Sequence, residues 1–205
     1  MRKSILILIL ILFTSICFAG GITDKVKSVI ARKNASGTVC STSTDSKLID
    51  RLSFGTGDPY IDTKDVYLAV KFTIAADSTI TQYVVRYCDS NADTGTVSTM
   101  IYDDDGNGAT SKPTTIVADT TKTITSSAIS AECETATGTD IITLDATKAL
   151  SAGTYWLVSK ENSLANRGWA YKVVTGEKLC QSTDGASWSC ASNYAFQMDV
   201  MGCQP

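Results

Sequence analysis

The 205-residue chain contains no histidine, and that absence removes a good deal of chemistry. A Ser-His-Asp triad, a Cys-His pair and an imidazole proton shuttle are all excluded, because each needs a group that titrates near neutrality beside the nucleophile. Cys-x-x-Cys spacing is missing too, so a zinc site would have to be assembled from scattered thiolates. Lys and Arg number 18 against 21 Asp and Glu, a formal charge of -3. The cations are dispersed, and without a basic cluster to neutralise phosphates, nucleic acid and anionic lipid are poor partners. After residue 13 no apolar run approaches the roughly 20 residues that a membrane-spanning helix requires.

What is present begins with Arg2 and Lys3, an apolar run from Ile5 to Phe13, and Cys17-Phe18-Ala19. This predicts a secretory signal peptide over residues 1–19 and a secreted mature chain, whether extracellular, at the cell surface or periplasmic, with no membrane insertion after cleavage. Loss of Arg2 and Lys3 would take the formal charge from -3 to -5. Removal of Cys17 leaves Cys40, Cys88, Cys133, Cys180, Cys190 and Cys203 of the 7 cysteines. In an oxidising compartment these predict disulfides, although six cysteines allow 15 pairings. Cys180 and Cys190 are the local pair; Cys88 with Cys133 and Cys40 with Cys203 are the expectation for the rest.

Residues 20–36 read as a short amphipathic helix and its lead-in, with Ile22, Val26, Val29 and Ile30 at helical spacing. Over 37–205 the composition shifts to Thr, Ser, Val, Ile, Tyr and Gly, which favours strands and turns. In "VYLAVKFTI", Val66, Leu68, Val70, Phe72 and Ile74 point one way and Tyr67, Ala69, Lys71 and Thr73 the other. Further strands are predicted at 79–88, 96–102, 114–118, 122–129, 140–146, 153–160, 168–174 and 194–202. Strands with one apolar face must bury it against a second sheet, so the fold class is all-β: a two-sheet antiparallel sandwich forming a single disulfide-stabilised domain.

The succession "VYLAVKFTIAADSTITQYVVRYC", "GTVSTMIYDDDGNGATSKP", "ITLDATKALSAGTYWLVSK", "STDGASWS" and "YAFQMDVMG" resembles the jelly-roll-like sandwich of choice-of-anchor-type and carbohydrate-binding-module-like domains in bacterial surface and secreted proteins. The resemblance runs over residues 47 to 202. It implies a secreted or surface binding module, with an extracellular glycan or surface protein as partner.

Three constellations are candidates for chemistry. The loop "DDDGNG" begins at Asp103 and matches the first six positions of an EF-hand-type calcium loop, with Asp103, Asp105 and Asn107 as ligands. The twelfth position, where a bidentate carboxylate belongs, is Thr114, so a strand-connecting turn competes with a weak calcium site. Apart from that candidate ion, no cofactor is expected. "STDGASW", Ser182 to Trp188, resembles the Asp-box of sialidase-like propellers, one residue short and in one copy; as structure it predicts a hairpin with Asp184-Gly185 at its tip. Trp169 and Tyr171, on one face of "GWAYKVV", form with Trp188 a candidate platform for stacking on sugar rings, the alternative being aromatics that fill the core. Trp156, alternating with Val158, reads as core.

The functional expectation is a non-catalytic binding module, with carbohydrate as the candidate ligand. One alternative is a structural subunit of a surface assembly. Another is a carboxylate-dependent glycosidase, for which Glu132, Glu134, Glu161 and Glu177 are the available glutamates.

Overall fold

Alternation along Tyr67–Ile74 places Leu68, Val70, Phe72 and Ile74 in the main core and Ala69 in a second cluster on the opposite face. Both faces of this strand are therefore covered. The computed structural model describes residues 45–52, 60–62, 66–89, 96–125, 140–161 and 167–204, with 60–62, 88–89 and 167 as backbone. All belong to the unit Cys40–Pro205, distinct from Met1–Val39. The leader 1–19, the helix expected within 20–36, Cys40, Cys133, Glu132 and Glu134 lie outside the described residues, as does the side chain of Cys88.

The strands are β1 (Ser46–Asp50), β2 (Tyr60–Asp62), β3 (Tyr67–Ile74), β4 (Ser78–Val85), β5 (Tyr87–Asp89), β6 (Thr96–Asp104), β7 (Pro113–Ile116), β8 (Lys122–Thr125), β9 (Asp140–Leu150), β10 (Gly153–Glu161), β11 (Arg167–Ser182), β12 (Ser189–Phe196) and β13 (Met198–Cys203). One sheet runs β1-β13-β4-β9. The other runs β12-β11-β3-β10-β6-β7, with β2 and β5 on β11 and β8 on β6. Every pairing among the described residues is antiparallel. The protein is an all-β sandwich, as the strand pattern predicts.

Between the sheets lie Ile80, Tyr83 and Val85 of β4, Ile142 and Leu144 of β9, Val200 of β13, and Val70, Ile101 and Leu157 of the larger sheet. Two phenols are buried there and each has a partner. Tyr83 donates to the carbonyl of Thr120 at 2.9 Å, and the Tyr87 hydroxyl lies 2.7 Å from both Thr99 Oγ1 and Ser159 Oγ. Burial raises both far above the ordinary tyrosine value, so they stay neutral.

Two segments expected as single strands are each divided. The stretch 79–88 passes from β4 in the small sheet to β5 on β11, breaking at Arg86; 194–202 passes from β12 in the large sheet to β13 in the small one, breaking at Gln197. The breaks meet: Arg86 N–H donates to Gln197 O at 3.2 Å, while Ala170 N–H donates to Arg86 O and Gln197 N–H to Ala170 O. Strands that change sheet this way form the closed corner of a sandwich. Apolar alternation continues through such a corner, which is why periodicity alone reads each segment as one strand.

Candidate functional site

The aspartate loop connects β6 to β7, and its carboxylates are spent on local partners. Asp105 accepts the Asn107 backbone N–H at 3.0 Å and its side-chain amide at 2.8 Å. Those bonds, the backbone one foremost, hold Asp105 below the usual carboxylate range. Asp104 accepts the Trp156 indole N–H at 2.7 Å on one oxygen and Gly106 N–H at 3.1 Å on the other. Asp103 Oδ2 accepts from Thr115 at 3.3 Å. The loop carbonyls that an ion would use instead face ammonium groups. Lys71 donates to Gly108 O at 3.2 Å and Ser111 Oγ at 2.7 Å, and Lys178 to Ala109 O at 2.9 Å and Ser111 O at 2.8 Å. Burial, then the neighbouring Lys71 charge, lowers the Lys178 pKa. Of the candidate calcium ligands, Asp105 and Asn107 thus make an Asx-type turn, while the Asp103 carboxylate meets Thr115. Among the described residues no group of three or more His, Cys, Asp or Glu is placed to hold a metal.

The Ser182–Trp188 segment joins β11 to β12 with Asp184 as its organiser. Asp184 Oδ1 accepts from Ala186 N–H at 2.8 Å, Ser187 N–H at 2.7 Å and the Ser182 hydroxyl at 2.8 Å. Three donors on one carboxylate oxygen push its pKa well below the ordinary aspartate value. Gly185 has φ +76, and a Cβ there would stand 3.1 Å from the ring of Tyr67. The turn therefore lies against the outer face of the large sheet. Cys180 and Cys190, register partners in β11 and β12, are disulfide-bonded below it. Cys203 is disulfide-bonded as well; the pairings expected for it and for Cys88, Cys40–Cys203 and Cys88–Cys133, involve cysteines outside the described side chains.

The three predicted platform aromatics do not share a surface. Trp169 is 0% exposed in the inter-sheet core, stacked on Phe196 at 4.2 Å, and its indole N–H donates to Gln197 O at 3.1 Å. Trp188 is 7% exposed and belongs to the outer-face cluster, edge-on to Tyr102 at 5.9 Å and Tyr67 at 6.3 Å. This corrects the expectation of an exposed trio. The loop folds Trp188 back onto a sheet whose outer face is itself apolar, and the sheet-switching corner encloses Trp169. Trp156, read as core, is buried in the outer-face cluster, beside Met100 and Val158.

Tyr171 differs from them, being half-buried and open to a groove of about 270 Å³. Tyr194 of β12 stands edge-on to it, 5.7 Å between ring centres, and Gln181, Ser189 and Ala191 line the same groove. A register irregularity between Val173 and Lys178 sets Val173 opposite Tyr194 and Tyr171 opposite Phe196. That irregularity decides which aromatics meet, and no local signal announces it; Tyr194 therefore escapes sequence reasoning. Of the four glutamates considered for glycoside cleavage, Glu161 is buried in β10 and Glu177 is ion-paired with Arg51 at 2.6 Å.

No protein-family model matches the sequence, and comparison with curated proteins finds no match. No helix among the described residues is long and apolar enough to cross a membrane.

Proposed function

We propose that this protein is a non-catalytic, exported binding module that recognises an extracellular glycan at the Tyr171–Tyr194 groove. The observation that carries the reading is the half-buried tyrosine pair beside Gln181 and Ser189: a ring face for the apolar side of a sugar, next to groups that exchange hydrogen bonds with its hydroxyls. Export is supported by the leader-like residues 1–19 together with the Cys180–Cys190 disulfide. Each aromatic contact contributes about 0.5–1.5 kcal/mol, so the affinity is modest. A glycan array with wild-type protein and the Tyr171→Ala and Tyr194→Ala variants tests it. Binding that both variants weaken, without loss of fold, supports the groove. Binding unchanged by either, or cleavage of a bound glycan, overturns the reading.

A further inference from the structure

A second concavity opens where β11 leaves β3. The two strands pair from Tyr67 to Val70, yet β3 continues to Ile74 against β10. On the β11 side the chain irregularity near Gly176, at φ +87, carries Glu177 away from the ladder. The resulting cleft has a volume of about 490 Å³. Arg51, which follows β1, reaches into it and replaces the missing strand contact: its Nη1 donates to Lys71 O at 2.6 Å. Its Nη2 meets Glu177 Oε2 at 2.6 Å, with the two side chains 13% and 26% exposed. Burial lowers the Arg51 pKa while the Glu177 charge opposes that effect.

In a chain of formal charge -3, three cations line this one cleft, Arg51, Lys71 and Lys178, against the carboxylates Asp50 and Glu177. A guanidinium offers charge-assisted donors to a carboxylate, and here Glu177 already takes the one at Nη2 while Nη1 is held by the Lys71 carbonyl. We propose that the cleft is a binding site for the carboxylate of a uronic-acid saccharide, and that Glu177 is an internal occupant which the ligand displaces from Arg51. Thr73 and Asp50 line the cleft beside Leu48 and Ile49, giving hydroxyl partners next to an apolar wall, as a sugar ring requires. The proposal rests on the saccharide reading for its ligand class but not on the Tyr171 groove for its location.

Calorimetric titration of the purified protein with a galacturonic-acid trisaccharide, a neutral galactose trisaccharide and a triglutamate peptide is the test. The acidic sugar is expected to bind and the other two not to compete with it. Glu177→Gln, which removes the competing charge and keeps a hydrogen-bonding side chain, should tighten binding about five- to tenfold. Arg51→Lys should weaken it, and Tyr171→Ala should leave it unchanged even if neutral-glycan binding at the groove is lost. No binding of the acidic sugar to wild type or Glu177→Gln, equal affinity in the two, or tighter binding of triglutamate overturns the proposal. Loss of acidic-sugar binding in Tyr171→Ala moves the ligand to the groove and also overturns it.

Discussion

The Lys178 ammonium donates to the carbonyl oxygen of Ser111 at 2.8 Å, across 67 residues of sequence. With Lys71 on the hydroxyl of the same serine, it fastens the aspartate loop to the large sheet. A protonated amine thus stands where an EF-hand-type loop would present oxygen to calcium.

Calcium should accordingly shift the melting temperature no more than magnesium does. Lys178→Met should cost about 1–2 kcal/mol through lost charge-assisted hydrogen bonds, and Asp105→Ala should cause only a small fall in melting temperature. Differential scanning fluorimetry with and without each ion measures all three. A calcium-specific rise that Asp105→Ala abolishes would restore the metal site.

Acid should loosen the Ser182–Trp188 turn. Asp184 has a depressed pKa in the folded state, so it binds protons less readily there than in the unfolded chain. Its stabilisation is fully present above the unfolded value of about 3.9 and is lost as pH falls from there through the lower folded value. Asp184→Asn should melt lower than wild type at pH 7, and the gap should narrow between about pH 4 and 2. A gap that stays constant with pH would mean the carboxylate's charge is not what organises the turn.

Joining Cys180 to Cys190 closes a loop of sequence separation 10, and its removal by paired serine substitution should cost about 2–3 kcal/mol. Non-reducing peptide mapping should recover this pair intact. Finding either cysteine free, or joined elsewhere, would contradict the structure.

Aromatic truncations should separate packing from recognition. Trp169→Ala and Trp188→Ala each empty a buried site and should cost about 3–5 kcal/mol. Tyr171→Ala, half-exposed at the groove, should cost clearly less while being the variant that affects ligand. Urea denaturation beside glycan binding reads both quantities, and equal destabilisation by all three would place Tyr171 in the core.

How legible the fold was depends on the range of the interaction concerned. Period-two alternation assigned Leu68, Val70, Phe72 and Ile74 to one face because a pleated strand turns each successive side chain to the opposite side. The Asp184-Gly185 tip and the Cys180–Cys190 bridge were legible for a similar reason, since their partners lie within a few residues or across one hairpin. Alternation is blind to which sheet a strand joins. The segments through Arg86 and Gln197 keep their apolar rhythm while changing partners.

By itself, then, the amino-acid order determined the all-β class, the apolar face of strands such as Tyr67–Ile74, the local disulfide and the local turn, all set by backbone geometry and near neighbours. Only the tertiary structure decided that Trp188 is covered between Tyr67 and Tyr102, that Tyr171 meets Tyr194, that Arg51 fills the gap between β3 and β11, and that lysines hold the aspartate loop. The bond from Arg51 to Lys71 spans 20 residues and that from Lys178 to Ser111 spans 67. Such contacts form only when a bulge, a corner and a sheet register coincide in space, and those depend on the sum of packing over the whole sandwich rather than on any stretch of chain.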